Sequence, residues 1–415
     1  MKSVDEIYPF GINTSIGPTG TIKRLFKNRD YFSQRGYSMS IFALQVQKRS
    51  LRGSQQVLSE IKQLPEVNHT QIASKKGNNW KSLLKSRKHA FVESNYFTSA
   101  WAYHHTCNSF ASHIKQYLSL NRNPDVVVFH DVHSCYYYCK LRNSFNAKVV
   151  MFVHGDGTDA DMFIKRKPTL NNTREHRQHK AQIQYTYENS DCIVWISKLA
   201  KERFCQNHPE FAHKAVAVVN GIDDIPILET PAPSDYKYRL VSTGTVCERK
   251  GQYIIIEGMK RMKPEILQDT HLTVIGSGPD HAKLVGLSEQ YGLREHVTFS
   301  GNVPNKDVPG RLAAENIYVL MSNNEGLPIS ILEAMRAGLP VISTRVAGIP
   351  EEVDDRNGIL IEPDIEQMTE VLNSLPLYDW NALGKASRLR FEQEFTFEIM
   401  RSNYASMFDG LYERK

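Results

Sequence analysis

Short apolar runs alternate with amphipathic stretches along almost the whole chain, and this alternation restricts the fold more than any other feature. DVVVFH (125–130), KVVMFVH (148–154) and DCIVWIS (191–197) are too short for helices and apolar between their polar end residues. Strands covered on both faces read this way. Stretches of helical spacing separate them, which predicts parallel strands joined by helical crossovers, an α/β fold. In the first half, strands are expected at 7–12, 37–44, 125–130, 148–154, 191–197 and 215–219. A helix ending near Gly36 and another over 95–120 lie among them, and 45–92 reads as irregular and very basic. In the second half, strands are expected at 239–243, 272–275, 297–299, 317–321 and 341–343, with helices between.

A chain of 415 residues is too long for one core. The segment NGIDDIPILETPAPSDY (220–236), rich in Pro and Asp, marks a linker. The expected divisions are a first domain over 1–222, a linker over 223–236 and a second domain over 237–390. A C-terminal helix over 391–415 is expected to pack back on the first domain. Charge reverses at the same place. Residues 1–220 hold 31 Lys and Arg against 16 Asp and Glu, whereas 221–415 hold 20 against 29, so +15 and −9 combine to the net +6. The halves therefore face different partners. The basic half suits an anionic membrane surface or an anionic acceptor, and no nucleic-acid-binding signature accompanies it. No run approaches eighteen apolar residues, and MKSVDEIYPF lacks a signal-peptide core. Six scattered cysteines form no C-x-x-C pair, in keeping with free thiols in a reducing cytoplasm.

Within this frame, NNEGLPISILEAMRAG (323–338) carries the densest chemistry. Pro328 suits the first position of a helix and Gly338 the residue past its end. Ile329, Leu332, Met335 and Leu339 form the expected buried stripe. Free backbone N–H groups at such a helix start bind anions. Glu325 sits at that mouth, and Glu333 lies more than a turn inside. An acid on each side of an anion site suits a ligand with hydroxyls flanking a phosphate, as a sugar nucleotide has.

The string EGLPISILEAMRAGLPVISTRVAGIPEEV (325–353), with weaker matches over most of the chain, resembles the retaining glycosyltransferases of family 4, which have the GT-B fold. The resemblance implies two facing Rossmann-like domains with a cleft between them, the second holding the nucleotide sugar and the first the acceptor. It implies that Glu333 binds ribose hydroxyls, that Glu325 lies near the donor sugar, and that the backbone of Gly326, Leu327 and Pro328 approaches sugar and phosphate. In STGTVCERKG (242–251), Lys250 matches a family lysine that faces the leaving diphosphate, while Thr245 stands where the family has arginine. Arg249 either supplies that missing charge or points to solvent. His154 resembles the family histidine near the donor sugar.

Weaker signals surround these. The turn holding Gly17 and Gly20 is either a phosphate- or sugar-approaching loop or a plain strand-to-helix turn. Gly278, in GSGP, resembles the family's loop on the phosphate and base side, and VTFSGN (297–302) the segment that reads the base. Asn220–Asp223 resembles a hinge-adjacent element, and Gly348–Glu351 is expected to close another side of the donor site. His130, Asp131 and His133 line the acceptor side or are ordinary loop residues. Asp159 and Asp161 have the spacing of a metal-binding Asp-x-Asp but read as surface carboxylates, and the family implies no metal and no other cofactor. SKKGNNWKSLLKSRKH (74–89) suits either an anionic membrane or solvent, and 164–180 is a second basic stretch.

The implied activity is metal-independent transfer of a hexosyl unit from a nucleotide sugar, UDP-linked, to a glycan, lipid-linked or protein acceptor. The cytoplasm is the expected location, at the inner face of a membrane when the acceptor is lipid-borne. Rival readings are a nucleotide-sugar epimerase of the same fold and a non-catalytic partner subunit.

Overall fold

The computed structural model describes residues 1–8, 19–43, 95–144, 146–155, 163–164, 167–226 and 235–413. The chain divides into two units. The first comprises Met1–Ile196, Lys201–Val218 and Arg401–Lys415, and the second Ser197–Ala200 and Val219–Met400.

The first unit is built on a six-stranded sheet of β1 (Lys2–Tyr8), β2 (Tyr37–Ala43), β3 (Val126–Phe129), β4 (Lys148–Val153), β5 (Cys192–Trp195) and β6 (Ala215–Ala217). The order is β2-β1-β3-β4-β5-β6, with every pairing parallel. Strands β3 and β5 are buried at every residue, as their unbroken apolar sequences require. The expected first strand, 7–12, is corrected to Lys2–Tyr8. Asp5 and Glu6 disguise it, because both carboxylates lie inside the fold. Asp5 takes Tyr117 Oη at 2.6 Å and Arg122 Nε at 2.9 Å. The helix expected to end near Gly36 is two helices, Thr19–Lys27 and Arg29–Gln34.

The second unit carries β7 (Tyr238–Thr243), β8 (Thr270–Ile275), β9 (Val297–Gly301), β10 (Ile317–Leu320), β11 (Val341–Thr344) and β12 (Gly358–Ile361). Their order is β12-β11-β10-β7-β8-β9, again parallel throughout. Four-residue β12 has no counterpart among the expected strands. It opens on Gly358 directly after the polar stretch 354–357, so no apolar run marks its start before β11 pairs with it.

Chain order reverses between β1 and β3 in one sheet and between β7 and β10 in the other. Neighbouring crossover loops diverge at such points, and the crevice left at the carboxyl ends of the strands is where open α/β sheets take ligands. The C-terminal segment is two helices, Trp380–Glu394 and Phe397–Glu413, with Phe395 and Thr396 between them. The division between units falls inside the second helix, at Met400/Arg401.

Candidate active site

In the second unit the reversal point gathers Arg249, Lys250 and Glu325. The chain leaves β7 at Thr243, makes a short turn over Glu248–Lys250 and enters the helix Gln252–Lys260 through Gly251, whose φ of 67° favours glycine. A Cβ on Gly251 would also overlap the Met321 carbonyl, so the loops after β7 and β10 are pressed together. Asn323 N–H donates to the Arg249 carbonyl at 2.9 Å and joins them.

Across this junction Glu325 Oε1 accepts from Lys250 Nζ at 2.7 Å, Arg249 Nη1 at 2.8 Å and Ser322 Oγ at 2.8 Å. Arg249 Nη1 also donates to the Asn324 carbonyl at 3.0 Å. The Lys250 and Glu325 side chains are only 11% and 10% exposed. Arg249, with its side chain 46% exposed, stands at the rim, and two cations against one carboxylate leave a net positive charge suited to a bound polyanion. Arg249 therefore turns toward Glu325. Thr245, in the position of the family arginine, is exposed, and its carbonyl accepts from Gln252 Nε2 at 3.2 Å.

The helix behind Glu325 spans Ile329–Arg336, and Pro328 is its N-cap instead of its first residue. Gly326 and buried Leu327 precede it. Gly338 follows its end with φ 73°, where Gly338 N–H reaches the Met335 carbonyl at 2.9 Å and Leu339 N–H the Ala334 carbonyl at 3.0 Å. This paired closure satisfies carbonyls that a helix end leaves open. The buried stripe is Ile331, Leu332, Ala334 and Met335, with Leu339 beyond the end. Ile329 is only partly buried, because it stands at the mouth of the crevice. Glu333 is half-buried. Burial holds the Tyr318 hydroxyl above its ordinary range, hydrogen bonds with Ser330 and Thr243 pull it back, and the charge of Glu333 adds a smaller upward push. Tyr318 Oη lies 3.1 Å from Thr243 Oγ1, so Glu333 stands close to the junction of β7 and β10.

The remaining expected residues divide clearly. Gly278 packs against the Val246 backbone, where a Cβ would overlap the Val246 carbonyl. Glu351 holds the start of the helix Lys198–Asn207. It accepts from the Ser197 hydroxyl and from the N–H groups of Lys198 and Leu199, both at 2.7 Å. Its neighbour Glu352, unmarked in the sequence, is fully buried, and neither carboxyl oxygen has a hydrogen-bond partner among the described residues. Burial, then the charges of Glu325 and Glu351, push its carboxyl well above the usual range.

In the first unit His154 follows β4 directly, and its Nε2 lies 3.0 Å from His130 Nδ1. Burial first, then the His130 charge, lower the His154 pKa to about 3. Asp131 caps the helix Val132–Leu141 through Ser134 N–H at 2.7 Å. His133 packs among the rings of Tyr103, Phe110 and His179. Gly20 is the second residue of the helix Thr19–Lys27. Gly17, Asp159, Asp161 and 74–89 lie outside the described residues, and 164–180 lies there in part. Among the described residues no cluster of His, Cys, Asp or Glu is arranged to hold a metal ion. No described helix is long and apolar enough to cross a membrane.

Sequence reasoning missed Glu6, Tyr404, Ser322 and Glu352. A carboxylate inside an apolar strand was the available signal for Glu6. Tyr404 arrives from a helix near the other end of the chain and gave none.

Residues 228–380 match the family described as "Glycosyl transferases group 1", and residues 29–224 match "Glycosyltransferase Family 4". One subunit of the phosphatidylinositol N-acetylglucosaminyltransferase of Arabidopsis thaliana is 26% identical over 232 residues, 51% of each chain. A GDP-mannose-dependent monoacylated alpha-(1-6)-phosphatidylinositol monomannoside mannosyltransferase of Corynebacterium glutamicum is 29% identical over 239 residues, 51% of this chain and 60% of its own. The chain spans about half the length of the curated relatives it matches. Among solved structures, Anabaena HepE in complex with UDP superposes with TM-score 0.67 at 14% identity, covering 99% of this chain and all of HepE, a likeness of fold. With two parallel α/β units and these matches over most of its length, the chain belongs to the family 4-type glycosyltransferases of the GT-B fold.

Proposed function

We propose that the protein is a retaining glycosyltransferase that moves a hexosyl unit from a UDP-sugar to a hydroxyl of a glycan, lipid-linked or protein acceptor. The observation that carries this reading is the Lys250–Glu325–Arg249 cluster at the strand reversal, with Glu333 beside it. Glu333 takes the ribose hydroxyls and Glu325 the donor sugar. The backbone of Gly326–Pro328 and the cations of Arg249 and Lys250 face the diphosphate. As the glycosidic C–O bond to phosphate breaks, negative charge grows on the leaving diphosphate, and these cations stabilise it. The acceptor oxygen bonds to the anomeric carbon on the same face, and its proton passes to a diphosphate oxygen. Nothing is oxidised or reduced, and the positive charge needed comes from side chains and the helix N-terminus, without a resident metal.

His154 meets a hydroxyl of the donor sugar. The basic first half favours an acceptor that is anionic or carried on a lipid at the inner face of a membrane. UDP as the carrier is supported by the UDP bound to HepE. A GDP-linked donor is the second reading, favoured by the GDP-mannose dependence of the Corynebacterium relative.

The test is nucleoside diphosphate release by the purified chain across UDP- and GDP-linked hexoses with and without EDTA, with the product anomer read by NMR. Release from a UDP-hexose, unaffected by EDTA and giving a product of retained configuration, is the expected result. An inverted product, an epimerised sugar with no glycoside, or loss of turnover in EDTA would each overturn part of this reading.

A further inference from the structure

Four polar side chains form a continuous hydrogen-bonded chain in the first unit, three of them buried and the last, His154, partly exposed, and the proposed transfer chemistry uses only that last one. Glu6 lies on the face of β1 shared with Val4 and Tyr8, and both its oxygens are occupied. Oε1 is 2.6 Å from Tyr404 Oη, and Oε2 is 2.9 Å from His130 Nε2. His130 Nδ1 is in turn 3.0 Å from His154 Nε2. The Glu6 and His130 side chains are each 1% exposed and Tyr404 is fully buried. Phe152 stacks on Tyr404 at 4.9 Å and on His130 at 5.2 Å, clamping the rings.

We propose that Glu6 and His130 are positioning residues that fix the tautomer of His154, keeping its proton on Nε2 and leaving Nδ1 as a lone-pair acceptor. Hydrogen counting leads there. Burial first, then the Glu6 charge, hold the Tyr404 hydroxyl far above its ordinary range, so it stays protonated and donates to Glu6. The other Glu6 oxygen accepts from His130, which places the His130 proton on Nε2. A His130 carrying one ring proton then presents a bare Nδ1, which has to accept from His154 Nε2–H. His154 is neutral above about pH 3, so its single proton is used in that bond and Nδ1 stays bare. The groups facing the chain are Glu6 and Tyr8 from β1, Asp131 beside His130, and Tyr404 from the Phe397–Glu413 helix. A second proton on His130 would reverse the last bond and move the His154 proton to Nδ1.

The consequence for catalysis rests on the placement of His154 at the donor sugar. A bare Nδ1 accepts from a free sugar hydroxyl and repels an acyl oxygen. This makes an unsubstituted hydroxyl the group His154 selects.

The experiment uses the full chain labelled with 15N-histidine, with His154→Gln and His130→Gln spectra assigning the signals. At neutral pH the wild-type His154 is expected to show a protonated Nε2 and a bare Nδ1. In Glu6→Gln, Tyr404 donates to the amide oxygen and the amide N–H faces His130. This moves the His130 proton to Nδ1 and drives the His154 proton to Nδ1. Turnover (kcat) for the nucleotide sugar should then fall about tenfold, the size of one misdirected hydrogen bond, with the thermal midpoint kept. A protonated Nδ1 on wild-type His154, or unchanged His154 signals in Glu6→Gln, overturns the proposal. A tautomer swap with unchanged turnover supports the positioning chain and overturns the placement of His154 at the donor sugar.

Discussion

The two sheets have the same number of strands and both reverse chain order between adjacent strands, yet they fill the reversal point with opposite chemistry. In the second unit Glu325 lies in a loop after its strand and is held by two cations. In the first, Glu6 lies within its strand and is held by a tyrosine and a histidine. Charge concentrated in a crevice stabilises charge that develops during a reaction, whereas a buried relay of hydrogen bonds orients the groups along it. The scaffold supplies the location in both cases, and the donors around one carboxylate decide its use.

The largest effect should separate these roles. Glu325→Ala leaves Lys250 and Arg249 without their shared partner and removes the acid at the helix mouth. A fall of about 100- to 1000-fold in kcat is expected, the range for losing one preorganised electrostatic group. Nucleoside diphosphate release measures it. A loss under tenfold, no larger than the one expected for Glu6→Gln, would erase the contrast between the reversal points.

A smaller effect follows from the buried histidines. Burial lowers His113, lowers His133 to about 4, and lowers both His154 and His179 to about 3, all in the first unit, while His271 alone is lowered in the second. A histidine whose folded pKa is lowered keeps its stabilising contribution above about pH 6.5 and loses it as pH falls toward the folded value. Each group contributes a slope of up to about 1.4 kcal/mol per pH unit. Asp131, raised to about 6 by burial, acts oppositely between about pH 6 and 4 and offsets one of them. Between pH 7 and 5 the first unit should lose on the order of 2 kcal/mol more than the second. Hydrogen exchange resolved by peptide, corrected for intrinsic rates, reads this. Equal loss of protection in both units would contradict it.

The smallest effect has the opposite sign and lies in the second unit. Native Glu352 keeps its proton, which the unfolded chain gives up above its ordinary pKa near 4.5. The stabilising contribution is therefore complete below that value and declines as pH rises toward the folded pKa. Glu352→Gln keeps the shape and removes the ionisation. Its melting temperature should exceed that of the wild type by a few degrees near pH 8, and the difference should shrink toward pH 5. A difference that does not change with pH would show that Glu352 carries no buried proton.

Much of this molecule was legible as sequence. Parallel strands announce themselves by unbroken apolar runs, because both faces are covered, and ten of the twelve strands among the described residues were anticipated in place, with β1 caught only at its last two residues. The Glu325-to-Glu333 element was legible because capping residues, an apolar stripe and two acids at fixed spacing fall within sixteen consecutive positions. Where polar residues enter a strand, or a glycine after a polar stretch opens it, the reading failed. Asp5 and Glu6 hid the start of β1, and β12 begins at Gly358 behind the polar stretch 354–357.

The sequence by itself determined the α/β class, the donor-side helix and the candidate acids, since these depend on local periodicity and on neighbours within a turn or two. Only the tertiary structure decided what surrounds each acid. Arg249 and Lys250 reach Glu325 across 75 or more positions, His130 reaches Glu6 across 124, and Tyr404 reaches Glu6 across 398. Hydrogen bonds and ion pairs act over a few ångströms in space, and only chain folding sets which distant residues come that close.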